Sequence, residues 1–429
     1  METLTDADAD RADGRGSAVD ASRDASASVD DWLATLAANP PFDELLSVPE
    51  PERRARGYGD TLREICQQPL TWPRTAELMA SATGRIREAL VAGGVADRTG
   101  GVVLTGSGSS FFGCECAAAP LQETLGVVVR AVAAGAILTH PNAVLPPSGP
   151  FLAVSLARSG DSPESAAVVE RLLGRREVAQ VLITCNAEGA LARRFGAAPR
   201  VASVVLPPET NDRSLVMTSS FTNLVLAAGA LSRAGEALRA SAARVAAAGR
   251  AVLSRTASAL ASAARRSFSS AVFLGGGARL GSAHEAALKM LESTSGRVVT
   301  LSDSFLGLRH GPMAAVAPDT LVVAFLSADP VARAFERDVL LELRRKGLGR
   351  WTVLVGDRIP ADLASGREDV RVDAGHDGPL DDAELTLIDA LTGQLLAFFR
   401  CLHLGGRPDS PSSGAIRRVV ESFEIHAGR

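Results

Sequence analysis

The chain has 429 residues, a net charge of −4 and 46% hydrophobic residues, long enough for two or three domains with a sizeable core. The mild acidity argues against a basic face for nucleic acid, no apolar run reaches the ~20 residues of a membrane span, and METLTDADADRADGRG is too acidic and polar for a signal peptide. Five cysteines (Cys66, Cys114, Cys116, Cys185, Cys401) in so large a chain fit a reducing cytoplasm better than a disulfide framework.

Residues 1–30 are Asp, Ala, Ser and Arg with almost no large apolar side chain, and predict a disordered tail. From 31 to 95 the pattern is helical, as in DDWLATLAA and TAELMASATGRIREALVAGG, which ends on glycines. GVVLT (101–105) reads as a buried strand, followed by a Gly/Ser turn from Gly106 to Gly113 and a helix. Further strands are predicted at 127–132, 151–157, 180–185 and 201–207. Continuously apolar strands alternating with helices mark a parallel sheet covered on both faces, here spanning 96–235. A linking helix is predicted over 236–267. The pattern then restarts: SAVFLGGGARLGSAHEAALKMLE repeats the order strand, glycine turn, helix. LVVAFLS (321–327), WTVLVG (351–356) and the helix DAELTLIDALTGQLLAFFRCLHL fill a second domain over 268–405. The fold class is therefore α/β: two tandem domains, each a parallel sheet between helices in three layers. A tail of 406–429, containing PDSPSSG, completes the chain.

Five stretches carry chemistry. TGSGSSFFG (105–113) offers Ser107, Ser109 and Ser110 beside a helix N-terminus, where hydroxyls and amides bind anions. It is neither a P-loop nor a dinucleotide fingerprint, and a plain strand-to-helix turn explains it equally. ARSGDSPES (157–165) adds Arg158, Ser159 and Ser162, with a helix cap as the alternative for Ser162 before Pro163. Two such loops at the C-terminal strand ends of one sheet favour a phosphorylated small molecule. NDRSLVMTSSFTN (211–223) contains Ser219; its Asn211 and Asp212 read as turn residues. In AHEAALKMLESTSG (283–296), Glu285, Lys289 and Glu292 share one helix face. Spacing alone favours an exposed Glu–Lys–Glu ladder; a carboxylate beside a lysine also suits proton transfer. Only Lys289 and Lys346 are lysines among 45 basic residues. Finally, SFLGLRHGPMAAV (304–316) sets His310 in a turn, where imidazole can move protons near neutral pH. No metal-ligand spacing and no G-x-S-x-G elbow occur, so neither a metal nor a cofactor is expected.

In this order, GSGSS, SRSG-type ARSGDSPES, EAALKMLE and LRHGP resemble the sugar isomerase (SIS) domain superfamily over roughly 95–425. HEAALKMLE with LRHGP is similar to the isomerase half of glucosamine-6-phosphate synthase. ARSGDSPES, NDRSLVMTSSFTN and FLGLRHGP are more similar to the tagatose-6-phosphate ketose/aldose isomerase (galactosamine-6-phosphate deaminase/isomerase) family. The resemblance implies that Ser109, Ser110, Ser159 and Ser162 hold a sugar phosphate, with Ser107, Arg158 and Ser219 nearby. It implies that Glu292 moves the proton between C1 and C2, oriented by Lys289 and Glu285. His310 would open the pyranose ring, reaching a neighbouring subunit's site in a homodimer or larger homo-oligomer. The tail PDSPSSGAIRRVV would close over the site, with Arg418 its basic contact. Two departures matter. The synthase's tail lysine is replaced by arginine here, and no cysteine precedes Cys66 to serve a glutaminase. Plain isomerisation, a fructosamine-phosphate deglycase and a non-catalytic sugar-phosphate sensor remain as alternatives, and the sugar epimer stays open.

Overall fold

The computed structural model describes residues 28–364, 369–375, 378–412, 414–418 and 424–426; most of the expected N-terminal tail lies outside them. An N-terminal layer of five helices comes first: α1 Val29–Leu36, α2 Phe42–Leu46, α3 Glu50–Arg56, α4 Gly59–Ser81 and α5 Thr83–Ala92. Helix α1 starts inside the stretch expected to be tail, because Ser28 and Asp31 form a reciprocal cap at its N-terminus.

The first sheet holds β1 Gly101–Gly106, β2 Val129–Ala133, β3 Phe151–Ala157, β4 Val178–Thr184 and β5 Val201–Val205. Its helices are α6 Ser109–Leu125, α7 Ala134–Thr139, α8 Pro141–Val144, α9 Pro163–Leu173, α10 Ala190–Phe195 and α11 Ser219–Gly229. Helices α12 Gly235–Arg255 and α13 Ala257–Ala264 lead to the second sheet. That sheet holds β6 Ser270–Leu274, β7 Val299–Asp303, β8 Leu321–Phe325, β9 Trp351–Gly356 and β10 Val370–Asp373. Its helices are α14 Ala278–Ser293, α15 Phe305–Leu308, α16 Pro330–Arg345 and α17 Asp382–His403. The strand orders are β2-β1-β3-β4-β5 and β10-β9-β8-β6-β7. Every pairing is parallel, and the second order repeats the first strand for strand.

The central strands form for the reason the sequence gives: FLAVSLA and LVVAF are buried along their whole length, and apolar burial of that kind drives the fold. The edge strands β7 (VTLSD) and β10 (VRVD) are not anticipated by the sequence reading, because each carries polar residues and is partly exposed. Helix α17 is 22 residues long and apolar enough to cross a membrane. It is instead a core helix, buried along nearly its whole length. Helix α4 ties the two domains together through polar contacts. Its Gln68 amide donates to Gln394 Oε1 of α17 at 2.7 Å, and its Trp72 indole donates to Thr222 of α11 at 2.9 Å.

Candidate active site

The first loop leaves β1 and turns into α6 through Gly108, whose φ of 55° and ψ of −130° suit glycine. A Cβ on Gly106 would lie 2.8 Å from the backbone carbon of Ser110, so the loop folds tightly over the strand end. Ser109 and Ser110 are thereby buried in the first turn of α6, with Ser107 exposed before them. The N-terminus of a helix with hydroxyls in its first turn is a setting that favours an anion.

The second loop, after β3, is the neighbour of the first, since Thr105 and Ser155 pair in the sheet. Ser159 accepts the Asp161 N–H at 3.2 Å, and Asp161 in turn accepts the Ala190 N–H at 2.9 Å, so the loop holds its own shape. Ser162 precedes the Pro163 start of α9, and its hydroxyl reaches Glu164. Ser159 and Ser162 are both half-buried.

Arg158 does not offer its fork to the open loop. The guanidinium donates to the carbonyls of Leu215 (2.9 Å), Ser214 (3.4 Å) and Arg418. Burial pulls its pKa down, and the Asp212 carboxylate opposes that. Arg418 likewise binds protein, donating to the Asp212 carbonyl and to Asn211 Oδ1, each at 2.6 Å. As folded, the two arginines lace the tail to the 211–215 loop.

The face expected to carry acid/base chemistry is on α14. Lys289 is fully buried; its ammonium lies 2.5 Å from Glu292 Oε2, 3.5 Å from Glu285 Oε1 and 3.1 Å from Ser109 Oγ. The last contact joins the helix to the anion loop of the other domain. Glu285 is fully buried, with the Lys289 ammonium and the Ser109 hydroxyl both acting on its carboxyl. Burial pushes its pKa up to about 7, with Lys289 pulling against it. Burial also works against the charge on Lys289, but the two carboxylates outweigh it and hold its pKa above the usual value. Glu292 keeps a partly exposed edge, with 23% of its side chain accessible. The exposed ladder favoured by spacing is therefore not what forms. The polar face is inside and Leu291, on the same helix, is 41% exposed. Burying a carboxylate–lysine cluster costs stability unless it is paired, and an inward-facing charge set beside an outward Leu marks a face kept for chemistry.

His310 stands apart. It is exposed after α15, its backbone N–H bonds Gly307 O at 2.9 Å, and its imidazole has no hydrogen-bond partner among the described residues. The structure does not bring it to Glu292 within one chain.

Two organising residues escaped the sequence reading. Asp212 accepts from Thr218 N (2.8 Å) and Oγ1 (3.0 Å), Ser219 N (3.0 Å), and Ser220 N (2.9 Å) and Oγ (2.5 Å). It caps α11 and fixes Ser219, which is fully buried. Glu64 of α4 takes the N–H groups of Arg213 (2.5 Å) and Ser214 (3.2 Å) and the Ser214 hydroxyl. Burial, then the Asp212 charge, pushes Glu64 up to about 8. Asp212 carries a local signal, an Asx followed by Thr-Ser-Ser. Glu64 carries none, since its partner lies 150 residues away.

Two doubly wound parallel sheets with a serine anion loop facing a buried acid/base helix define an SIS-domain protein, and the SIS domain family profile matches residues 98–234. A Streptomyces coelicolor protein is 36% identical over 379 residues, covering 86% of this chain and 95% of its own, and carries the name D-galactosamine-6-phosphate deaminase AgaS provisionally. The Escherichia coli D-galactosamine-6-phosphate deaminase AgaS is 33% identical over 379 residues, covering 85% of this chain and 95% of its own. The crystal structure of the tagatose-6-phosphate ketose/aldose isomerase from Escherichia coli aligns with a TM-score of 0.76 at 29% identity, over 86% of this chain and 96% of that one. The chain belongs to the AgaS family.

Proposed function

We propose that the chain is an amino-sugar phosphate deaminase/isomerase that converts galactosamine-6-phosphate and water to tagatose-6-phosphate and ammonia. The observation that carries this reading is the buried Glu285–Lys289–Glu292 face touching Ser109 of the anion loop. The names of the AgaS relatives support the substrate class.

Ser109, Ser110, Ser159 and Ser162, with the α6 N-terminus, hold the 6-phosphate. That remote binding orients the reacting carbons at the other end of the sugar. His310 passes a proton between O1 and the ring oxygen and opens the pyranose. His310 is exposed, which suits service to the site of a second copy in a homodimer or larger assembly. Glu292 takes the C2 proton of the open aldehyde and returns it at C1, leaving a ketimine at C2. Water adds to the ketimine, and ammonia leaves with the former nitrogen. Lys289, 2.5 Å from Glu292 Oε2, holds that carboxylate in place for the first transfer. Glu285, whose carboxyl burial pushes up to about 7, stands beside Lys289 and helps to orient the sugar hydroxyls.

The test is ammonia release from galactosamine-6-phosphate and, in parallel, glucosamine-6-phosphate. Rapid release from the galacto sugar is expected. Interconversion of phosphosugars without ammonia would turn the reading to plain isomerisation, and no reaction with either sugar would overturn it.

A further inference from the structure

The second domain repeats the strand order of the first, and at the position matching the first domain's anion loop it buries a charged side chain of its own. Helices α6 and α14 pack antiparallel: Ser109 meets Lys289 at 3.1 Å, Glu115 meets His284 at 2.7 Å, and Cys116 meets Ser282 at 3.7 Å. The loops before them have the same backbone, with Gly277 at φ 55° and ψ −128° matching Gly108. Gly275 matches Gly106, each pressed against the helix turn above it. This places Ala278 and Arg279 where the first domain has Ser109 and Ser110. It also places Cys116, Pro120 and Glu123 of α6 where α14 has Glu285, Lys289 and Glu292. The first loop of the second domain therefore has no counterpart of the Ser109 and Ser110 hydroxyls, and α6 presents no counterpart of the Glu285–Lys289–Glu292 face.

Arg279 takes up the room at the strand ends. It is fully buried and pairs with Asp389 of α17, its Nε donating at 2.8 Å with a second bond from Nη2. The remaining donors reach the carbonyl of Val355 at 3.2 Å, at the end of β9, and that of Leu326 just past β8. All around it the second domain is acidic. Glu336 accepts the Ser327 N–H at 2.8 Å, and Asp382 accepts the Ala328 N–H at 2.6 Å. The first crevice is built for an anion and the second is filled by a cation. A planar guanidinium with a fork of donors is the group that two carbonyls and a carboxylate can satisfy at once.

We propose that Arg279 is the permanent internal occupant of the second domain's ligand crevice, and that it acts as a positioning residue for the catalytic helix. Arg279 lies in the first turn of α14 and Glu292 in the last, about 20 Å along one rigid rod. Clamping the first turn to α17 and to two strand ends fixes the rotation and register of the rod. Lys289 then meets Ser109 at the far end, with Glu292 paired to it.

The experiment is chemical complementation of Arg279→Ala in the full chain, with ethylguanidinium as the probe and ethylammonium as the control. The variant is expected to melt below wild type. Ethylguanidinium raises its melting temperature, leaves wild type unraised, and ethylammonium does nothing. For the positioning role, which rests on the proposed reaction, kcat falls about a hundredfold with KM little changed, and ethylguanidinium restores it. A folded Arg279→Ala protein with wild-type kcat, or one whose melting does not respond to ethylguanidinium, overturns the proposal. Should Arg279→Ala not fold, Arg279→Lys decides: it keeps the charge without the fork, so a reduced kcat is expected and a wild-type kcat overturns the positioning role. A wild-type protein inactive on every amino-sugar phosphate would refute the proposed function, while the melting arm, which uses no sugar, would still decide the occupancy of the crevice.

Discussion

The two sheets have the same strand order, the same glycine turns and the same helix after the first strand, yet their crevices have opposite character. In the first, Ser109 and Ser110 start the helix and Lys289 reaches in from the other domain. In the second, Ala278 and Arg279 start the helix and the arginine seals the strand ends against Asp389. Duplicating a fold duplicates the place where a ligand can sit, but not the side chains that hold one. The chain has thus divided the labour of a repeat. In the proposed reaction the first domain supplies the anion seat, and the second supplies the acid/base helix and its proposed anchor.

The comparison can be broken most forcefully at Lys289. Replacing it with Met leaves Glu285 buried without its cation and Glu292 without its partner. We expect a loss of about 3–5 kcal/mol in stability and near-complete loss of turnover, read by thermal melts and ammonia release. An active, stable Lys289→Met protein would mean that the buried face is incidental.

A smaller effect follows in the loops. Ser109→Ala removes a hydroxyl from the anion seat and should raise KM for the phosphosugar about tenfold. The matching change in the second loop, Ala278→Ser, should leave KM where it is. Equal effects in both loops would show that the crevices are not different in kind.

The smallest effect concerns pH. Glu64 has its folded pKa raised from 4.5 to about 8. The folded state therefore holds a proton that the unfolded state releases across that window. The stability linked to this proton is complete below about 4.5 and is lost as pH rises through about 8. Relative to Glu64→Gln, wild type should melt progressively lower as pH climbs through the window. Parallel melting curves would remove Glu64 from the pH response of the loop it holds.

The fold was legible in the sequence wherever burial is two-sided. The strands 151–157 and 351–356 are observed with the bounds expected of them, because unbroken apolar runs have few alternatives. Edge strands β7 and β10 were not legible, since half-exposed strands admit polar residues and lose their pattern. In the site, the shared face of Glu285, Lys289 and Glu292 was readable from helical spacing, but its direction was not: periodicity says which residues align and not whether they point inward. Arg158 and Arg418 show the same limit. Their charge suggested phosphate, but nothing in the sequence signalled the contacts they make in the fold, to backbone carbonyls and, for Arg418, to Asn211 Oδ1. Arg279 had no signal at all, because its partners Leu326, Val355 and Asp389 are brought to it only by the closed sheet and α17.

The central claim is that Glu292 moves the proton in a site assembled from both domains. The most direct measurement is ammonia release from galactosamine-6-phosphate by Glu292→Gln beside its binding of the same sugar. The account predicts binding at wild-type strength with turnover reduced by about two to four orders of magnitude. Turnover near the wild-type rate would contradict it.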